Sequence, residues 1–395
     1  MRGNLRRGLL VAALSACLPA LAETADELFD DRILHDVRLY IHPSDWRALK
    51  LNFTENTYYP ADFSWRGSTV ESVGIRSRGL GSRTDVKPGL RVDFNRYTKD
   101  QEFLGLNALV LDNVYQDPSF LREYLSMRVF RRLGLPAPRE AFARLYVNDQ
   151  YAGLYVLVEE INKDFLKRNF GQNDGHLYEY KWLTEYRFER LGDGPDSYLD
   201  KFKPVTHERD PDLGPLVELI RLANQASDQE FAARIPEFLD PKLFATHLAV
   251  ENFLAEWDGI VGYAGMNNFY LYRLEESNRF QFIPWDKDVT LSKPEHPIHY
   301  NLDQNVLVRR VLALPEVLPA YLNALEAAAG GCDTDDWLAG QLERAYALFR
   351  EAALADPFKP RDNAGFEGSV QAARDFVRDR GGFVRWQLEA LRATP

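Results

Sequence analysis

From about residue 32 to 160, apolar positions recur mostly at every second residue; over much of the rest they recur at helical spacing. HDVRLYIHPSDWRALKLN predicts a strand, a helix start at Pro43-Ser44-Asp45 and a short helix. ADFSWRGSTVESVGIRSRG alternates on both sides of Arg66-Gly67-Ser68 and predicts a hairpin, and GLRVDF predicts another short strand. One helix interrupts these strands. Asp117 is its expected cap, Pro118 suits its first turn, and Leu121, Leu125, Val129 and Leu133 share a face. Gly134 and Pro136 end it. REAFARLYVNDQYAGLYVLVEEI then predicts a hairpin turning at Asn148-Asp149.

Residues 185–214 are polar and rich in Gly, Pro and Asp, and predict an exposed loop or an excursion between lobes. Beyond them, Asp240-Pro241 opens a helix with Leu243, His247, Val250 and Leu254 on one stripe. It runs into Glu256-Trp257-Asp258-Gly259. NNFYLYR and RFQFIPW follow as a strand pair joined by a polar turn, and helices fill most of the remainder. The expectation is an α+β protein of two lobes: sheet-rich over 23–160, mainly helical with one inserted hairpin over 161–395. No internal repeat is visible.

At 395 residues and 45% hydrophobic content, the chain can bury a large core. Its net charge of -11 argues against a nucleic-acid partner, which would select a basic surface. Residues 1–22 have a basic start, a short apolar run and small residues at Ala20 and Ala22, the pattern of a secretory signal cleaved after Ala22. Export to a bacterial periplasm or the exterior follows as an expectation. The alternative is a lipoprotein anchored at Cys17, within LSAC; the apolar residues after it argue against that. No later segment is long and apolar enough for a membrane span. A chain that loses Cys17 with the signal keeps only Cys332, so no intrachain disulfide is expected.

The candidate chemistry lies on the late hairpin. FIPWDKDVT ends a strand with Asp286 and Asp288, two carboxylates that repel unless something positive lies between them. Asn267 and Asn268 open the partner strand, and Asp258 sits just before the connecting loop. Antiparallel pairing brings all these oxygens to one end of the hairpin, where a hard divalent cation such as magnesium could sit. The same division of labour serves protein kinases: one aspartate takes the hydroxyl proton, while an asparagine and a second aspartate hold metal. Asp258 would then be the base, Asp286 and Asn268 metal ligands, and Asp288 a further ligand or a structural residue. Trp257 and Trp285 would wall the site or stack on a nucleotide base; both also read as ordinary core residues. In the first lobe, GIRSRGLGSRTDVKPGLRVDF clusters Arg76, Arg78, Arg83 and Lys87 around flexible glycines. Lys87 is the best candidate for a phosphate-binding lysine, Glu159 its best acidic partner and Glu123 the alternative. The stretch matches neither a Walker A loop nor the protein-kinase glycine pattern, and a basic hairpin is more often a solvated face.

Taken in order, GIRSRG, Lys87 before LRVDF, LVLDN, RRLGLPAPR, YVNDQYAGLYVLVEEI, EWDG, NNFYLY and FIPWDKD resemble the spore coat protein H (CotH) family from about Arg32 to Thr290. The resemblance implies a protein-kinase-like fold and Mg-ATP-dependent phosphorylation of serine in a partner protein. By motif position it makes Asp258 the catalytic aspartate, Asp286 the metal aspartate and Asn268 the asparagine. The roles of Lys87 and Glu159 rest on the residues themselves as much as on the resemblance, and that of Arg78 on the basic stretch it belongs to. GIVGYAGMN, between Asp258 and Asn268, is longer than the matching kinase loop. An exported kinase would also work where ATP is scarce, so a binding or structural protein on the same fold is the second reading. A third, a glycosidase with Asp258 and Asp286 as its acid–base pair, leaves Asn268 and the basic hairpin without a role. His296 and His299 flank Pro297 and read as a loop, His247 as a core histidine, and Cys332 as a thiol without a catalytic partner. No G-x-S-x-G elbow is present.

Overall fold

A computed structural model describes residues 23–334 and 336–393; the expected signal and Cys17 lie outside them. After a short helix α1 (Ala25–Leu28), seven strands close a barrel in the order β1-β2-β3-β4-β5-β7-β6. They are β1 (Leu34–Ile41), β2 (Tyr59–Trp65), β3 (Ser68–Ser77), β4 (Leu90–Asp93), β5 (Ala108–Asp112), β6 (Glu140–Val147) and β7 (Gln150–Glu159). Helix α2 (Pro43–Leu51) follows β1, and α3 (Arg122–Arg132) lies between β5 and β6. Both tight hairpins fall where the alternation places them. Arg66 and Gly67 have φ of 50° and 87°, and Asn148 and Asn148's neighbour Asp149 have 50° and 61°, the left-handed pair a two-residue turn requires. Parallel pairing of β1 with β6, from Leu34↔Phe142 to Leu39↔Val147, closes the barrel and removes both sheet edges.

Period-two alternation divides the strands between two cores. Leu39, Phe63, Val92, Leu111 and Tyr155 fill the barrel, where Phe63 meets Phe94 edge-on at 5.3 Å. Val110, Phe142, Leu154 and Val156 point outward and join the core of the helical region. Residues 23–160 therefore feed both cores.

Helix α4 (Lys163–Phe170) leads to a second sheet of order β11-β10-β8-β9, made of β8 (His176–Tyr180), β9 (Phe202–Pro204), β10 (Phe269–Arg273) and β11 (Phe280–Pro284). The expected hairpin is β10–β11, and it belongs to a sheet rather than standing alone among helices. Residues 185–214 also differ from the expected exposed loop: they contain β9 and bury Tyr186, Phe188, Tyr198 and Phe202. Aromatic anchors hidden among Gly, Pro and Asp give this stretch a core contact that its mean polarity conceals. The remaining helices are α5 (Gly214–Gln225), α6 (Asp228–Phe238), α7 (Pro241–Phe253), α8 (Val306–Leu312), α9 (Leu318–Asp333), α10 (Trp337–Ala355) and α11 (Asn363–Ala393). No helix among the described residues is long and apolar enough to cross a membrane. Asp117 does not sit at the N-cap of α3, as expected. It folds a turn one step earlier, taking the Ser119 and Arg122 amides at 3.0 and 2.7 Å, and the helix starts at Arg122.

Candidate functional site

Register places the site. Phe269 pairs with Pro284, so Asn268 and Trp285 lie opposite each other just beyond the ladder, and the Trp285 amide donates to the Asn268 carbonyl at 3.2 Å. The next residue, Asp286, and Asn268 itself have φ of 53° and 56°. Asparagine tolerates this region; aspartate does so less readily, and such positions cost about 1–3 kcal/mol each and concentrate at functional sites.

Asp258 arrives from the other side. Asp240 caps α7 by accepting from the Lys242 and Leu243 amides, and the helix ends in the Trp257-Asp258-Gly259 turn. The long segment to Asn268 folds back on that turn. Tyr263 N donates to Trp257 O at 2.9 Å, and Asn267 N to Gly259 O at 3.0 Å. Both asparagine side chains consequently reach the same oxygen, Asp258 Oδ2, from Asn267 at 3.1 Å and from Asn268 at 3.3 Å. Burial raises the Asp258 pKa, and these amides and Lys287 only partly offset it.

Four carboxylates crowd the same space. Burial, with Asp112 next, lifts Asp286 to about 6, against the opposing pull of Arg78. Asp288 is pushed well above the usual carboxylate range by burial and then by Asp286 and Asp112. Glu123 on α3 is also raised well above its ordinary value, by burial, then Glu140, then Asp286. Gln116 Nε2 lies 3.3 Å from Asp288 Oδ2. Beside Lys287, which also opposes the rise at Asp286, this group holds Arg78. Its Nη1 donates to Asp112 Oδ2 at 2.9 Å, and its guanidinium lies 5.3 Å from the centre of the Trp285 ring. Burial works against the Arg78 charge, and Asp112 and Asp286 outweigh it. Trp285 is buried and meets Tyr270 edge-on, whereas Trp257 is exposed beside Asp258 and packs on Tyr263 at 5.1 Å.

The structure thus brings Asp258, Asn268, Asp286, Asp288, Arg78, Trp257 and Trp285 to one end of the β10–β11 hairpin. It takes Lys87 and Glu159 elsewhere, and the expected pair between them is corrected. Lys87 is 3% exposed, and its Nζ donates to Leu154 O at 2.6 Å and Asp356 Oδ2 at 2.8 Å. Glu159 instead binds Arg139 and Arg168. The reason is register: Lys87 meets β7 at Leu154, five residues before Glu159, about 17 Å along a strand. Asp112 was not foreseen, although LVLDN has the same signature as FIPWD, an apolar strand closing on aspartate. Nor were Lys287 and Glu251 foreseen, whose partnership spans 36 residues.

Among the described residues, no three His, Cys, Asp or Glu side chains stand close enough to hold a metal ion by themselves. The donor chemistry still fits magnesium, which takes one or two carboxylates and completes its shell with water and phosphate. Several raised carboxylates facing one arginine form a site short of positive charge.

Two outcomes follow from this geometry. Asp286, with an ordinary pKa of 3.8, holds its proton up to about 6 in the fold. The native state then binds more protons than the unfolded chain, so this group's stabilisation is present below about 4 and is lost as pH rises through about 6. In thermal unfolding without divalent cations, wild type should lose stability relative to Asp286→Asn between pH 4 and 6; a constant difference would contradict the burial. Second, a Cβ on Gly259 would stand 2.6 Å from the Glu251 carboxylate, which is fully buried and held by Lys287. Gly259→Ala should cost about 1–3 kcal/mol in urea unfolding; no measurable cost would show that the turn can shift.

Comparison with known proteins places the chain in a family. The model of the family described as CotH kinase protein matches residues 75–384. The inner spore coat protein H of Bacillus subtilis (strain 168) is 25% identical over 365 residues, covering 90% of this chain and 97% of that protein. Invasin CotH7 of Rhizopus delemar is 23% identical over 71% of this chain but only 46% of its own length, so this chain spans about half of it. Among solved structures, the Helicobacter pylori proinflammatory kinase CtkA aligns over 77% of this chain and 95% of its own, at 14% identity and a TM-score of 0.30, too low to carry an argument.

Proposed function

This chain belongs to the CotH kinase family, and from that premise we propose that it transfers the γ-phosphoryl group of Mg-ATP to a serine hydroxyl of a partner protein. The observation that carries the reading is the meeting of Asp258, Asn268 and Asp286 at one hairpin end, opposite Arg78. Asp258 would orient the acceptor hydroxyl and take its proton, held in place by the two amides on Oδ2. Its raised pKa brings it nearer the range in which a carboxylate accepts a proton effectively. Magnesium, held by Asp286 and Asn268 with Asp288 as a further donor, would neutralise charge on the transferring phosphates. Arg78 takes the phosphate-binding part first assigned to Lys87, since it faces Asp286 while Lys87 is enclosed. Trp285, beneath Arg78, would exclude water from that side, and exposed Trp257 is available to a base or to the acceptor. Such a transfer needs little covalent work from the protein, so position and charge dominate. The N-terminal pattern makes export part of the proposal.

The test is transfer from γ-labelled ATP with magnesium to the chain itself and to candidate acceptors, followed by phosphoamino-acid analysis. Label on serine, absent without magnesium, supports the reading. No transfer to any acceptor and no binding of any nucleotide would overturn it in favour of a non-catalytic binding protein.

A further inference from the structure

Between Asp286 and Asp288, which are half-buried at the site, Lys287 is fully buried on the core side. A lysine enclosed to that degree needs partners. Its Nζ lies 2.8 Å from Glu251 Oε1 and 3.9 Å from Glu256 Oε2. Each glutamate uses its other oxygen on the turn that carries Asp258. Glu251 Oε2 accepts from the Ile260 amide at 2.9 Å, and Glu256 Oε1 from the Asp258 amide at 2.7 Å. The absence of a side chain at Gly259 lets Glu251 come this close. On its backbone side, the Lys287 carbonyl accepts from the Thr290 hydroxyl at 2.9 Å, and that hydroxyl lies 2.8 Å from Ser126 Oγ on α3, the helix that bears Glu123. His247 Nε2, 3.4 Å from Glu251, and its ring against Phe130 close the enclosure.

We infer that Lys287 is the positioning residue of this site: through Glu251 and Glu256 its ammonium fixes the Asp258 turn against the Asp286–Asp288 turn, whose main chain Thr290, on the Lys287 carbonyl, ties to α3. The three elements carry the proposed base, the proposed metal ligands and Glu123, and they are not neighbours in sequence. Without the link, each would keep its own fold while the distance between base and metal carboxylates varied. A displacement of an ångström at such a site is enough to cost much of the rate.

Lys287→Met alone would strand the Glu251 charge and could simply unfold the chain, so the test uses the full-length Lys287→Met/Glu251→Gln double variant, which removes both charges and leaves an acceptor for Ile260. The first readout does not depend on the proposed chemistry. Hydrogen exchange at the Asp258 and Ile260 amides should speed up at least tenfold over wild type, while Leu248 and Val250 inside α7 stay unchanged. The second rests on the proposed phosphotransfer: kcat should fall at least tenfold with KM for Mg-ATP changed less than threefold. Unchanged exchange at both turn amides, or wild-type kcat in a folded double variant, would overturn the inference. Absence of activity in wild type would instead count against the phosphotransfer, leaving the exchange result to decide. Should the double variant not fold, Thr290→Val, which deletes only the hydroxyl linking Lys287 to α3, takes its place. The expectation is then at least a threefold fall in kcat and faster exchange at the Asp258 amide, and no change in either overturns the inference.

Discussion

Asp258→Asn is expected to slow phosphoryl transfer by about 10²–10⁴-fold, the usual contribution of a positioned proton acceptor, without weakening the fold. Asparagine keeps an oxygen that can accept from Asn267 and Asn268, which now share Asp258 Oδ2. It also removes a charge that burial disfavours and that pushes the Asp286 pKa upward. Stability should therefore hold or rise slightly. Nucleotide binding should survive, because Asp286 and Arg78 are untouched. Single-turnover transfer, thermal unfolding and nucleotide affinity, measured on one preparation, separate these effects. A folded Asp258→Asn variant with wild-type transfer would remove Asp258 from the chemistry.

The largest effect on stability is expected at a residue that the sequence first suggests for nucleotide binding. Lys87 and Asp356 form a buried pair, 3% and 0% exposed, joining the barrel to the segment after α10. Asp356 also accepts from the Leu154 amide at 3.0 Å and the Phe358 amide at 2.8 Å. The Lys87 ammonium lies 5.0 and 4.9 Å from the ring centres of Phe120 and Tyr155. Lys87→Met leaves the aspartate charge buried without its cation, which costs about 3–5 kcal/mol. Lys87→Met/Asp356→Asn removes both charges and should recover most of the loss. Urea unfolding of the two variants tests this. If Lys87→Met kept its stability and lost ATP binding, the lysine would return to the phosphates and Arg78 would lose that role.

These two residues also mark what could be read from the sequence. Asn268 and Asp286 were legible because a single antiparallel hairpin sets their relation, strand starts and ends meeting whatever the rest of the fold does; Asp258 joins them through the segment to Asn268, which folds back on its turn. The turns at Arg66-Gly67 and Asn148-Asp149 were legible for the same local reason. Lys87 and Glu159 were not, since their positions depend on the register of β7 and on a partner at residue 356. A lysine that prepares for phosphate and one that ties a loop to a distant helix look alike in sequence. Residues 185–214 misled in another way: the burial of Tyr198 and Phe202 is a tertiary fact, overriding a polar local composition. Lys287 stood in plain view between two aspartates, but its role comes from Glu251, which local spacing could not supply.

The central claim is that Asp286 belongs to a magnesium–nucleotide site facing Arg78. Calorimetric titration of the purified protein with ATP, with and without magnesium, in wild type and Asp286→Asn, tests it most directly. The account predicts binding that requires magnesium in wild type and is lost in the variant. Binding that is indifferent to magnesium, or equal in the two proteins, would contradict it.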